Sequence, residues 1–315
     1  MRYFILAPEN LISGGPELAH QMCCELSENG CTAFMYYISD GHREPVDIPA
    51  PKPYLGYQTA HETKIENVEQ PDTVVIFNEG STTYIPAVSC GRKILWWMSV
   101  DNYKAATQQS DLDIIREQIC LHLVQSQYAY EYVKNEVGIS EENILFVADY
   151  INEQYGRFVL PAKYRQNIAL YNPKKGYADM EPLIQSAPWL RWIPLINLNT
   201  EQIVVLMQSA KVYVDFGGHP GKDRIPREAA ASGCCVVTNK KGSAANDVDV
   251  PIPEKYKFAD VPSQYEEIKA LLADICKEFE RHSAEFDSYR KVIGEERGVF
   301  AECVRKFVGV VENMI

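Results

Sequence analysis

No run of about 18 consecutive apolar residues occurs anywhere in the chain, so no segment is suited to cross a membrane as a helix. The opening stretch MRYFILAPENLISGG also lacks the long apolar core and cleavage site of a secretion signal. Cysteines are present, but none of the nine (23, 24, 31, 90, 120, 234, 235, 276, 303) forms a CxxC pair and none clusters with histidine, which argues against a structural zinc or a redox dithiol. Their odd number and their place in apolar runs such as GCCVV lead us to expect reduced, buried thiols and a cytoplasmic chain, with peripheral contact at the inner membrane face left open. Positive charge is in deficit: 31 Lys plus Arg against 43 Asp plus Glu gives a formal charge of −12, a field that repels polyanions and makes nucleic acid a poor partner. A small anionic ligand stays open, because a local group of two or three cations dominates within a Debye length of about 10 Å. No strand-like run is followed by GxGxxG, which sets a dinucleotide-dependent dehydrogenase aside.

What is present is a regular alternation. RYFILAP, CTAFMYYIS, DTVVIF, RKILWWM, CLHLVQS and NILFVAD are short continuous apolar runs separated by helical or polar stretches, the pattern of a parallel sheet covered on both faces. A helix is expected from about Pro16 to Glu28. The Pro- and Tyr-rich segment from Asp40 to Gln70 has no clear period and is expected to be an ordered excursion. The pattern lapses near Tyr155 to Gln166 and resumes with NIALYN, LRWIPL, KVYVDF and CCVVTN, with helices near 177 to 186, 200 to 209 and 226 to 232. We therefore expect an α/β protein of two Rossmann-like, doubly wound domains: 1–160, and 161–285, followed by a helical segment from about 286 to 315.

Ligands of open α/β sheets bind outside the carboxyl ends of the strands. Four such ends carry chemistry here. After the first strand, SGGPELAH offers Gly14 and Gly15 for close backbone approach, with His20 one turn beyond; a tight turn with a surface histidine is the alternative. After KILWW, Asp101 sits where a carboxylate can accept a proton from a hydroxyl or simply cap the next helix. After NIALY, Asn172 precedes Lys174 and Lys175, which can neutralise a diphosphate at a helix N-terminus or merely be solvated. After KVYVD, the loop FGGHPGKDR brings His219, Lys222, Asp223 and Arg224 to a helix carrying Glu228. Cations beside a helix N-terminus again suit an anion, and Glu228 can accept two hydrogen bonds from a ribose diol or serve the helix dipole alone.

With these residues in view, the chain resembles the GT-B glycosyltransferases that use nucleotide-sugar donors, most closely the family-4-like enzymes that include many of bacterial surface-polysaccharide synthesis. SGGPELAHQ, VQSQYAYEYV, NILFVADYIN, IALYNPKKG and MQSAKVYVDFGGHPGKDRIPREAAASGCCVVTN resemble the family's segments in order along most of the chain. The resemblance implies GT-B architecture: an N-terminal acceptor domain, a C-terminal donor domain, a cleft between them and a final helix crossing back to the first domain. It implies that Glu228 holds the donor ribose and that Lys174, Lys175 and Lys222 or Arg224 meet the phosphates. It further implies a metal-independent transfer of sugar from a nucleoside diphosphate sugar to a glycan or lipid-linked acceptor, with no cofactor. Asp101 or His20 would be the base of an inverting reaction. The sequence departs from the family's Glu-x7-Glu pattern: Pro220, next to His219, occupies the first acidic position, and Asn172 and Pro173 stand where an Arg is usual. His219 and Asp223 are candidate substitutes. A catalytically degenerate GT-B binding module or partner subunit, and a sugar-nucleotide epimerase, are the alternative functions.

Overall fold

The structure is a computed structural model and describes residues 1–39, 44–89, 91–106 and 111–314. Cys90 and residues 40–43 of the expected excursion lie outside the described residues. The chain divides into two units, Met1–Asp149 with the stretch from Gly298 onward, and Tyr150–Arg297.

In the first unit, β1 (Arg2–Pro8), β2 (Thr32–Ile38), β3 (Thr73–Asn78), β4 (Arg92–Trp97), β5 (Leu121–Val124) and β6 (Ile144–Phe146) form one parallel sheet in the order β2-β1-β3-β4-β5-β6. Connecting helices are α1 (Gly14–Glu28), α2 (Ile65–Val68), α3 (Val100–Ala106), α4 (Asp111–Gln118) and α5 (Gln127–Tyr132). The strands are almost wholly buried, which is why each reads as a continuous apolar run rather than an alternating one. The two tryptophans of β4 are fully buried, and each indole N–H has a partner: Trp96 donates to the Val147 carbonyl at 3.0 Å and Trp97 to Nδ1 of His122 at 3.0 Å. The described part of the Pro- and Tyr-rich excursion contains a 3-10 turn, Lys52–Tyr57, and α2.

His122 carries a pH dependence. Burial pushes its pKa down to about 4, so the folded chain holds a neutral imidazole that accepts from Trp97. An unfolded histidine titrates near 6.5. Between those values the unfolded chain binds more protons than the folded one, so stability is full above about 6.5 and falls as the pH drops towards 4, by up to about 3 kcal/mol. Urea unfolding midpoints across that range are expected to show this slope. In His122→Asn the same range should be flatter.

In the second unit, β7 (Gln166–Tyr171), β8 (Arg191–Pro194), β9 (Ala210–Asp215), β10 (Cys235–Asn239) and β11 (Lys257–Phe258) form a second parallel sheet, ordered β11-β10-β9-β7-β8. The two-residue β11 was not expected from the sequence. Its helices are α6 (Tyr177–Ser186), α7 (Thr200–Ser209), α8 (Arg224–Ala231), α9 (Tyr265–Lys277) and α10 (Phe279–Ala284). Asn199 caps α7 by accepting from Gln202 N, and Gln202 Oε1 accepts from Asn199 N. Gly233 ends α8 at φ 95°, where a side chain would run into Arg165. Arg165 is buried, and its guanidinium donates to the carbonyls of Leu160, Met207, Ala210 and Ser232.

The last helix, α11 (Asp287–Glu312), starts in the second unit, and its residues from Gly298 onward belong to the first, where Phe307 packs edge-on against Tyr3 of β1. The eight described cysteines are all free, but only Cys23, Cys234 and Cys235 are fully buried and Cys120 is exposed, so the expectation of generally buried thiols is corrected. Among the described residues no helix is long and apolar enough to cross a membrane.

Candidate functional site

The order of the second sheet places a topological switch between β7 and β9. From β7 the chain goes outward to β8 on one side, then returns to β9 on the other, so the loops leaving β7 and β9 diverge at the carboxyl edge of the sheet. Such a divergence opens a crevice for a ligand. The two loops there are 172–176 and 216–223, the stretches that hold most of the candidate donor residues.

Close backbone approach builds the crevice. Gly176 has φ 65°, and a Cβ on it would overlap the carbonyl of Phe216 in the other loop. Asn172 shapes the first loop as an Asx turn, its Oδ1 accepting from Lys174 N at 3.0 Å. The second loop is held from β10 and the turn after it: Asn239 donates to the Gly217 carbonyl at 2.8 Å, Ser243 N to the His219 carbonyl at 2.9 Å and Ser243 Oγ to the Gly221 carbonyl.

Four ionisable groups then meet. Lys175 Nζ lies 3.2 and 3.3 Å from the two oxygens of Asp223 and remains partly exposed. Behind Asp223 is His219, with no solvent exposure; its Nδ1 is 2.9 Å from Asp223 Oδ2 and its Nε2 is 3.9 Å from Asp215 Oδ1. Neither contact is an aligned hydrogen bond. Burial disfavours the imidazolium, but the two carboxylates outweigh it and raise the His219 pKa; the same pairing, with Lys175, holds Asp223 below the usual carboxylate range despite its burial. Asp215 is itself oriented by Tyr213 OH at 2.8 Å and Gly217 N at 3.0 Å.

The remaining candidates are less uniform. Lys174 is exposed. Lys222 is engaged by Glu296 of α11 at 2.9 Å, with both side chains mostly enclosed. Arg224 and Glu228 share one face of α8, Nε to Oε1 at 3.8 Å, each with about an eighth of its side chain exposed. Beneath them Arg227, which the sequence reading passed over, is fully buried; it donates to Glu296 at 2.7 Å, to the Lys222 carbonyl at 3.0 Å and to the Asp223 carbonyl at 3.2 Å. Asp215 and Glu296 were also missed. An acid as the last residue of a strand was a usable signal for Asp215, whereas Glu296 lies in an amphipathic helix among many exposed acids and offered none.

Among the described residues Asp215, His219 and Asp223 form the group that could hold a metal ion, with ligand atoms within 4.8 Å of one another. Lys175 stands at Asp223, and the two ring nitrogens of His219 face different carboxylates.

The first unit has its own switch, between β1 and β3. Gly14 and Gly15 open α1 at the end of β1, and the preceding loop is pinned by Tyr54, whose hydroxyl accepts from Ser13 N and donates to the Ser13 carbonyl. A Cβ on Gly15 would meet only Met98 at 3.7 Å, so this glycine is not forced by sterics. His20, a candidate base from sequence, is fully buried against Tyr54, with its nitrogens at the Pro16 carbonyl at 2.7 Å and Tyr37 OH at 2.8 Å. Asp101 keeps partial exposure in the first turn of α3, with Tyr128 OH donating to it at 2.6 Å.

Solved structures with the same arrangement cover nearly the whole chain. A glycosyltransferase from Rickettsia africae aligns over 99% of this chain and 98% of its own with a TM-score of 0.69 at 12% identity. The chain has the GT-B fold. HepE from Anabaena, solved with UDP-glucose, aligns over 98% of this chain and 99% of its own at TM-score 0.69 and 12% identity. The lipopolysaccharide outer core galactosyltransferase WaaB covers 100% of both chains at TM-score 0.67 and 13% identity. No protein-family model and no curated protein matches the sequence. The GT-B expectation drawn from the motifs is therefore met at the level of fold, by two parallel sheets of six and five strands flanked by helices.

Proposed function

We propose that the chain moves a sugar from a nucleoside diphosphate sugar to a hydroxyl of a glycan or lipid-linked acceptor, as a cytoplasmic step in glycan or surface polysaccharide synthesis. The observation that carries this reading is the switch point of the second sheet, where Lys175 lies in one of the two facing loops and Arg224 and Glu228 in the helix that follows the other. The similar fold of HepE solved with UDP-glucose supports a nucleotide-sugar donor. In this reading the diphosphate lies against Lys174, Lys175 and the N-terminus of α8, and Glu228 accepts from the ribose diol. Positive groups fixed before the reaction stabilise charge on the departing phosphate without reorganisation, which is how a site lowers the barrier to breaking the sugar–phosphate bond. No cofactor or metal is required, because the chain's own cations perform that role. Asp101 is the first-unit candidate that could receive the acceptor's proton.

Calorimetric titration with UDP, GDP and ADP tests the donor site. Binding of one of the three, unaffected by EDTA, is the expected result; absence of heat with all three removes the proposal. Glu228→Ala is expected to weaken the nucleotide that binds by about 1–3 kcal/mol, the range for losing a charged hydrogen-bond partner. Unchanged affinity would place the ribose elsewhere.

A further inference from the structure

The switch of the first sheet lies between β1 and β3, and the loop leaving β3 opens on a buried carboxylate that the sequence reading passed over. Glu79 directly follows the strand in a 3-10 turn, Glu79–Tyr84, and is 9% exposed, the same as Glu228 in the second unit. Its main chain is fixed on both sides: Asn78 Oδ1 accepts from Gly80 N at 2.9 Å, Ser81 Oγ accepts from Asn78 N at 3.0 Å, and Asn78 Nδ2 donates to the Leu6 carbonyl of β1 at 3.3 Å. Met98, just past β4, donates its N–H to Glu79 Oε2 at 2.9 Å, and its sulfur lies beside Gly15 of the loop leaving β1. Glu79 thus opens one of the two diverging loops and is linked through Met98 to the other, at the edge where an open sheet takes its ligand. Among the described residues no cation is paired with it. Arg92 and Lys93 stand at the opposite end of β4, while Lys104 of α3 and Arg116 of α4 are held by Glu136 and by the Val137 carbonyl. The acids of those two helices near the turn are engaged as well, Asp101 by Tyr128 OH and Asp111 by Thr82 Oγ1.

Burial without a cation disfavours the charged form, and it pushes the Glu79 pKa up to about 7 against the pull of the main-chain N–H groups of Met98, Glu79 itself and Ser99. An unfolded glutamate titrates near about 4.3, so the stability gained from the raised value is full below that and is lost as the pH rises through about 7. The fold therefore has no use for the charged form. A fixed, enclosed acid of this kind at a ligand-binding strand end is suited to accept a proton. We propose that Glu79 is a catalytic residue, the base that receives the proton of the acceptor hydroxyl. The proposal rests on the donor-site reading, which supplies the sugar, and deepens it by assigning the proton. As the hydroxyl oxygen bonds to the anomeric carbon, its proton passes to a Glu79 oxygen, and the bond from that carbon to the phosphate oxygen breaks with its electron pair leaving on the diphosphate. Glu79 then releases the proton to solvent. Asp101 follows β4, one strand farther from the switch, and Tyr128 OH already donates to it, so it is the comparison.

Two measurements on the full chain test this. The first is urea unfolding of Glu79→Gln, a variant of the same shape, at a pH about one unit above the Glu79 pKa. Its midpoint is expected to be no lower than that of the unaltered chain; a clearly lower one would make the carboxylate a structural group and overturn the proposal without reference to any ligand. The second measures sugar released to water from the glucose, galactose, mannose and N-acetylglucosamine esters of whichever of UDP, GDP and ADP binds. Glu79→Gln is expected to lower kcat by about 10²–10⁴-fold, the usual contribution of a general base, while KM and nucleotide affinity stay unchanged. In the unaltered chain kcat is expected to fall by up to about tenfold per pH unit below about 7, and in Glu79→Gln that slope is expected to be absent. A retained slope, a larger loss in Asp101→Asn, or nucleotide binding with no release from any ester overturns the assignment of the base. No binding of UDP, GDP or ADP overturns the donor site itself, with the urea arm still deciding whether the fold needs the Glu79 charge.

Discussion

Glu296→Ala is expected to destabilise the second unit by about 3–5 kcal/mol, the cost of stranding a buried charge whose partner has been removed. The stranded group is Arg227, only 1% exposed, whose guanidinium is 2.7 Å from Glu296 and reaches the main chain of Lys222 and Asp223. Lys222 loses its partner in the same step. Because Arg227 holds the backbone on which Asp223 sits, the damage is expected to spread to nucleotide affinity as well. Urea unfolding checks the size. The double variant Arg227→Met, Glu296→Leu is the control: removing both charges should recover most of the loss, since apolar groups of similar volume commonly replace a buried ion pair without cost. A single-variant loss below about 1 kcal/mol would mean that water reaches Arg227 and that the contact does not organise the loop.

Gly176→Ala is expected to cost about 2–5 kcal/mol and to abolish measurable nucleotide binding. A residue with a Cβ pays about 1–2 kcal/mol for the left-handed conformation, and forcing the methyl group into a filled space adds about 1–3 kcal/mol. The space is filled by the Phe216 carbonyl and Gly217 N, main-chain atoms that cannot swing aside as a long side chain would. One of the two loops must move, and Lys175 or Asp223 moves with it. Gly218→Ala is the comparison, because a Cβ there meets nothing within 4 Å and the position is exposed; it should change stability by no more than about 0.5 kcal/mol. Equal losses in the two variants would show that the close approach of the loops is not what Gly176 serves.

Strand positions were legible because a strand buried on both faces has to be apolar throughout. RKILWW and CCVVT could hardly be anything but interior, and they are β4 and most of β10. The glycine at 233 was legible for a local reason too, since a helix that stops and returns to a sheet needs a left-handed residue. The histidines were not. His20 and His219 both follow a Gly-Gly pair, and the sequence offered both as candidates near the chemistry; Tyr37 and Tyr54 enclose the first, while Asp215 and Asp223 enclose the second. Lys222 likewise looked as available as Lys175. Its partner lies 74 positions along the chain on another helix, and nothing local announces it.

The amino-acid order by itself determined the two parallel sheets, the loops that end at their carboxyl edges and the kinds of group those loops carry, because burial and turn geometry act over a few residues. Which cations stay open to an anion was decided by tertiary structure alone. That question depends on which acid each one meets, and Glu296 and Asp223 are brought to Lys222 and Lys175 by the packing of separate elements. A charge is neutralised by whatever stands within a few ångströms of it, and only the folded chain sets those distances.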